Sequence, residues 1–245
     1  MRRYIYFVFL LCCAVNLLLT SCVRQKYVVM DMVHHNPGEA MTESKFLDPS
    51  FLKKNEYGAK VFFLFEAAQF GIDWKSFDPS LFPDTTEAGR WVAEKAEIIH
   101  KKYDAAKKED LQVYCMLDML VLPSLLVEKH RTELTNEQGK LDISKPYTQL
   151  CIRELMKEMF ETFPQLDGLV IRTGETYLHD APYYVGNHPV QNGMYDHITL
   201  INLLREEVCE RRNKKLFYRT WDMGQLHSIP KYYLSVTDSL SLIHI

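Results

Sequence analysis

Apolar runs alternate with amphipathic helical stretches along the chain. Five runs predict buried strands, over residues 27–33, 60–65, 111–117, 168–172 and 215–218. The second, third and fourth runs are almost continuously apolar, as expected for strands that are covered on both faces. Strands that alternate with helices are typical of consecutive βα units, which build a parallel sheet.

Three stretches between these runs carry apolar residues at helical spacing. They predict helices over residues 85–106, 146–163 and 197–212. In the first stretch Val92, Ile99 and Tyr103 share one face. Thr86 and Glu87 stand where an N-cap and an early acidic residue are expected, so the first helix should begin there.

Nearly continuous apolar strands favour a barrel or a doubly wound sheet over an antiparallel sandwich. Of these, we expect an α/β fold of the TIM (βα)8 type. Loops that follow the strands are long and polar, and in such a barrel those loops build the site. Five units of about 42 residues imply a full barrel of about 340 residues, so we expect an incomplete barrel over residues 27–238. Residues 239–245 lack a helix or a cap and read as a non-native tail. A natural open sheet of five or six strands is the alternative.

The first residues predict secretion and a lipid anchor. Arg2 and Arg3 precede an apolar run over residues 5–19, which is too short for a membrane span. The run ends at Leu18-Leu19-Thr20-Ser21-Cys22, a segment that resembles the bacterial lipobox. We therefore expect a signal peptide over residues 1–21, a lipidated Cys22 followed by a tether over residues 22–26, and attachment to a bacterial membrane facing the periplasm. An ordinary signal peptide with an incidental cysteine is the alternative.

Composition describes a soluble globular domain. The 245 residues carry a net charge of −3 and 25% charged residues, which does not favour nucleic-acid binding. Cys115, Cys151 and Cys209 lie in apolar or amphipathic stretches and are expected to be buried as small hydrophobic side chains. A single disulfide among these three remains open.

Polar and aromatic side chains follow the predicted strands. Because the carboxyl ends of parallel strands share one edge, we expect these residues to line a common site. The candidates are His35 and Asn36 after the first strand, Glu66 after the second, Asp118 after the third, Arg172, Glu175 and Tyr177 after the fourth, and Arg219, Trp221 and Asp222 after the fifth.

Glu175 is the candidate catalytic residue. It follows Gly174, where the backbone can bend, and partial desolvation beside Tyr177 and Trp221 would raise its pKa and suit it to donate a proton. The same aromatic side chains could stack on sugar rings. Arg172 could hold a substrate carboxylate, and a structural ion pair between Glu175 and Arg172 is the alternative.

The adjacent His34 and His35 raise the question of a metal site. Adjacent residues on an extended strand face opposite sides, so both could bind one ion only at a turn. We expect no metal and no cofactor, with a different barrel enzyme holding a metal at His34 or His35 as an alternative. The chain has no glycine-rich phosphate loop, no serine-hydrolase elbow and no zinc-type cysteine spacing.

The run from Asp167 to Ile171, then Glu175, a helix, and a strand leading to Arg219 and Trp221 resembles the middle of the α-glucuronidase barrel. That family removes glucuronic acid side chains from xylan. The resemblance covers residues 165–222 and implies that Glu175 is the general acid of an inverting hydrolysis. A carboxylate from a later strand would activate water on the opposite face of the sugar.

The chain departs from the family pattern in three ways. Gly174 and Thr176 stand where the family has Ser before and Gly after the acid, and the family's N-terminal domain is missing. The water-activating carboxylates would lie beyond Asp238, so we expect this chain alone to be hydrolytically inactive.

The leading hypothesis is a glycoside hydrolase that acts on acidic or hemicellulosic oligosaccharides. Its expected partners are an oligosaccharide substrate and a membrane, to which the N-terminal lipid attaches the chain. No nucleic-acid partner is expected. The alternative from another functional class is a lipoprotein that binds saccharide without cleaving it.

Overall fold

The computed structural model describes residues 30–31, 45–63, 66–173, 176, 178, 180–191 and 193–218. The predictions for the signal peptide, for residues 239–245 and for much of the first strand therefore lie outside the described residues. So do several candidate residues, namely Cys22, His34, His35, Asn36, Glu175, Tyr177, Arg219, Trp221 and Asp222.

A parallel sheet forms the centre of the described fold. The strands in chain order are Met30–Asp31 (β1), Ala59–Phe62 (β2), Gln112–Asp118 (β3), Val121–Pro123 (β4), Leu166–Arg172 (β5), Tyr184–Gly186 (β6) and Lys215–Tyr218 (β7). The main sheet has the order β1-β2-β3-β5-β7, and each neighbouring pair is parallel. The prediction of an α/β fold with a parallel sheet is confirmed. The short antiparallel pair of β4 and β6 was not predicted.

Helices connect the strands of the main sheet. They are Pro49–Lys54 (α1), Glu87–Lys108 (α2), Ser124–Lys129 (α3), Arg131–Leu134 (α4), Pro146–Thr162 (α5) and Met194–Leu204 (α6), with 3-10 turns at Lys45–Leu47 and Ala68–Gly71. The helix predicted over residues 197–212 begins three residues earlier, and its last turn, Arg205–Glu210, is π-helical. No helix in the described part of the chain is long and apolar enough to span a membrane.

The two faces of the sheet pack differently. On one face Phe62, Leu117 and Ile171 join a large core with buried residues of α2, α5 and α6. On the other face Val61, Phe63, Tyr114, Met116 and Val170 form a second buried cluster. Period-two alternation along each strand sends successive side chains to these two faces. Both faces are therefore apolar, which explains the nearly continuous hydrophobic runs.

The described cysteines are buried or half-buried free thiols. Cys115 and Cys151 are fully buried, and Cys209 is half-buried. Burial raises the pKa of both Cys115 and Cys151 to about 12, so both stay protonated at neutral pH. The prediction of small hydrophobic packing is confirmed for these two, and no disulfide joins the three described cysteines.

Helix α2 begins where the sequence predicts. The side-chain oxygen of Thr86 accepts a hydrogen bond from the backbone N–H of Gly89 at 3.0 Å. Replacing Thr86 with alanine leaves this helix without its cap, so we expect the free energy of unfolding to fall by about 1 kcal/mol. Urea denaturation would measure the change. Thr85→Ala at the preceding position is the matched control, and an equal loss in both variants would contradict the capping role.

Candidate functional site

The carboxyl ends of the five parallel strands of the main sheet lie at one edge of the sheet. Asp118 ends β3 and lies opposite Arg172, which ends β5. On the other side of β5, Ile171 lies opposite Tyr218 at the end of β7. The structure thus brings Asp118 and Arg172 together, as the predicted parallel sheet requires.

Asp118 and Arg172 form a bidentate ion pair. The Arg172 Nη2 donates to Asp118 Oδ2 at 2.6 Å, and the Arg172 Nε donates to Asp118 Oδ1. Each side chain is only 4% exposed, and the guanidinium carbon lies 4.5 Å from the centre of the Phe63 ring. A buried charge is costly unless it is paired, and this geometry offsets both charges. Contact of either residue with substrate stays a prediction.

Glu66 contacts helix α2. Its carboxylate forms an ion pair with Lys102, and its backbone carbonyl accepts a hydrogen bond from the Tyr103 hydroxyl at 2.9 Å. The Glu66 side chain keeps 25% of its surface exposed. These contacts attach the segment after β2 to α2, while the substrate-binding role expected for Glu66 remains a prediction.

His197 was not identified as a candidate from the sequence. It is fully buried at the start of α6, and its Nδ1 lies 2.9 Å from the Tyr218 hydroxyl at the end of β7. The available signal was its spacing, because Leu200 and Ile201 follow three and four residues later on the same apolar face. The contact fixes the strand end that leads toward Arg219 in the chain.

The antiparallel strands β4 and β6 join the segments that follow β3 and β5. Val121 lies opposite Gly186, and Pro123 lies opposite Tyr184. Each of these strands has three residues, which is too short to give a sequence signal of its own. This pairing was therefore visible only in the tertiary structure.

A polar cavity of about 630 Å³ opens in the segment that follows β3. Its lining combines basic and acidic side chains with hydroxyl and amide groups. The charged members are Arg131, Lys145, Glu137 and Asp142. Two cations beside two carboxylates give a cavity with many hydrogen-bonding groups and no net charge.

Among the described residues, no group of three or more His, Cys, Asp or Glu side chains is arranged to hold a metal ion. The two histidines considered for a metal, His34 and His35, lie outside those residues.

Breaking the pair of Asp118 and Arg172 should strongly destabilise the fold. Asp118→Asn leaves the buried guanidinium without this counter-charge, and we expect a loss of about 3 kcal/mol in urea denaturation. Changing both partners, Asp118→Leu with Arg172→Met, should recover much of that loss because no buried charge is left unpaired. The exposed pair of Glu97 and Lys101 gives the control, in which Glu97→Gln should have no measurable effect. If Asp118→Asn were as stable as the wild type, the role of the pair would be contradicted.

His197 should make stability depend on pH. Burial lowers its pKa from 6.5 to about 4, with a smaller contribution from His188. Between these values the unfolded chain binds a proton that the folded chain excludes, so stability is complete above pH 6.5 and falls as the pH drops toward 4. We expect the loss from pH 7 to pH 5 to be about 2 kcal/mol larger in the wild type than in His197→Gln, which keeps His188, a second histidine whose pKa burial lowers. Urea midpoints at both pH values measure it, and identical pH dependence in both proteins would rule out the effect.

The chain was also compared with known proteins. Neither a scan against models of protein families nor a search of curated proteins found a match.

Proposed function

We propose that this chain is a saccharide-processing protein of the glycoside hydrolase class, similar to the α-glucuronidases, in which Glu175 is the general acid. Its substrates would be acidic or hemicellulosic oligosaccharides, and lipidated Cys22 would hold it on the periplasmic side of a bacterial membrane. The observation that carries the proposal is the buried Asp118 and Arg172 pair at the carboxyl edge of a parallel sheet. That edge is where barrel enzymes of this class carry their sites.

The strand order supports a barrel rather than a doubly wound sheet. The main strands follow one another in chain order, and residues of α2, α5 and α6 join one core on the same face. A doubly wound sheet reverses its order at a switch point and places helices on both faces. Closure into eight units, with the second buried cluster as the barrel interior, is part of the proposal.

Arg172 would have a structural role beside the proposed site and would not contact the substrate. Its guanidinium is occupied by Asp118, so it holds the end of β5 three residues before Glu175. The carboxylate of a glucuronic acid unit would then require another cation, and Arg219 after β7 is the best placed in the chain order. Tyr177, Trp221, Asp222, His35 and Asn36 would complete the sugar-contacting surface.

Saccharide binding without cleavage is the second candidate. The polar cavity after β3 favours it, because the cations, carboxylates, amide and hydroxyl groups that line it can bind sugar hydroxyls without any catalytic group. In this case the protein would bind the oligosaccharide without hydrolysing it, and Glu175 would have no catalytic role.

Substitution of Glu175 tests the leading proposal. In a protein that contains this chain, Glu175→Gln should lower hydrolysis of glucuronic-acid-substituted xylo-oligosaccharides by at least about 100-fold, because the leaving oxygen receives no proton. Glu94→Gln, at an exposed position of α2, is the control and should keep full activity. Release of glucuronic acid and calorimetric binding of the same oligosaccharide are measured together.

The two readouts separate the candidate functions. Binding with hydrolysis that depends on Glu175 supports the hydrolase. Binding without hydrolysis leaves the saccharide-binding protein, and absence of binding overturns both.

A further inference from the structure

The described residues that follow β5 are held closely in place. Thr173 is 2% exposed, directly after Arg172. Further along, the Leu178 carbonyl accepts a hydrogen bond from Ala181 N–H at 3.1 Å, and the Ala181 carbonyl accepts one from Tyr184 N–H at 3.1 Å. These two turns lead the chain into β6, and Ala181 and Tyr184 are buried in the main core.

Strands β4 and β6, together with Leu120 and Asn187, form what we call the clamp. Leu120 and Asn187 extend the ladder of β4 and β6 by exchanging backbone hydrogen bonds of 2.9 and 3.0 Å. At the other end, Ser124 N–H donates to the Tyr183 carbonyl at 2.9 Å. The clamp therefore joins the segment after β3 to the segment after β5 along its full length.

The Asn187 side chain attaches a third segment to the clamp. Its Oδ1 accepts a hydrogen bond from Leu141 N–H at 2.7 Å, and its Nδ2 donates to the Leu141 carbonyl at 3.1 Å. One amide side chain thus satisfies both backbone groups of Leu141, as a strand partner would. Leu120 and Leu141, which are 21 residues apart in the chain, are thus both hydrogen-bonded to Asn187.

Gly186 allows a close approach of β6 to the start of β4. A Cβ atom at this position would lie 2.5 Å from the Leu120 carbonyl oxygen and 2.8 Å from Val121 Cγ2. It would also lie 3.1 Å from Thr176 Cγ2. A Cβ atom does not lie closer than 3.0 Å to backbone atoms in real structures. A side chain at position 186 would therefore displace β6 from β4 and alter the contact with Thr176.

We propose that Gly186 is a positioning residue, because the clamp that it closes sets the place of Thr176, which directly follows the proposed acid Glu175 in the chain. This inference rests on the proposed function of Glu175 as a general acid. Displacing a catalytic group by about 1 Å can lower the rate about 100-fold.

The first test is independent of activity. Hydrogen–deuterium exchange of the chain is compared for the wild type, Gly186→Ala and the control Gly71→Ala, whose Cβ would lie 2.8 Å from Phe163 Cζ in the packing of α2 and α5. We expect faster exchange in residues 119–124 and 173–187 for Gly186→Ala only. Asn187→Ala is a milder second variant in case Gly186→Ala does not fold. Unchanged exchange in that segment for both clamp variants would overturn the proposal.

The second test separates positioning from general loss of structure. A general acid matters most when the leaving group is poor, so kcat of a protein that contains this chain is compared for an oligosaccharide and an aryl glucuronide with an activated leaving group. We expect Gly186→Ala to lower kcat on the oligosaccharide by about 10- to 100-fold, with KM nearly unchanged, and to lower kcat on the aryl substrate by less than about threefold. An equal loss on both substrates, as expected for Gly71→Ala, would overturn the positioning role.

Failure of the proposed function gives a different result. If Glu175→Gln keeps full hydrolysis, the general acid assignment falls whatever Gly186→Ala does. If Glu175→Gln is inactive while Gly186→Ala matches the wild type on the oligosaccharide, the proposed function stands and the positioning role of Gly186 falls.

Discussion

The buried ion pair of Asp118 and Arg172 is the constraint around which the described edge of the sheet is organised. Two opposite charges that are each 4% exposed can remain in an apolar interior only if their geometry is maintained. The pair joins the ends of β3 and β5, and Met119 N–H donates to the Arg172 carbonyl at 3.1 Å just beyond it. The register of the two strands and the start of both following segments are therefore fixed at one place.

Other strand ends use the same kind of attachment. Glu66 after β2 is held by Lys102 and Tyr103 of α2, and Tyr218 at the end of β7 is held by His197 of α6. Each contact joins a strand end to a helix that packs on the same face of the sheet. A site built at this edge thus has a rigid base, which is what the orientation of catalytic groups requires. The clamp joins the two segments that follow β3 and β5 by backbone hydrogen bonds.

Most of the main sheet was predictable from the pattern of apolar residues. The strand at Lys215–Tyr218 has the predicted bounds, and β2, β3 and β5 differ from prediction by at most a few residues. Continuous apolar runs identify such strands because both of their faces are buried. The strands β4 and β6 have only three residues each, so their periodicity carries no information, and they form because distant segments meet.

The sequence by itself determined the α/β class, the parallel strands, the cap of α2 at Thr86 and the presence of polar residues at the strand ends. These features depend on local spacing and on side-chain chemistry, which are readable along the chain. Only the tertiary structure decided which polar groups pair. Whether Arg172 contacts Asp118 or another carboxylate, and whether His197 is buried against Tyr218, depends on strand register and helix packing. Such contacts join residues 21 to 54 positions apart in the chain, and no local pattern encodes them.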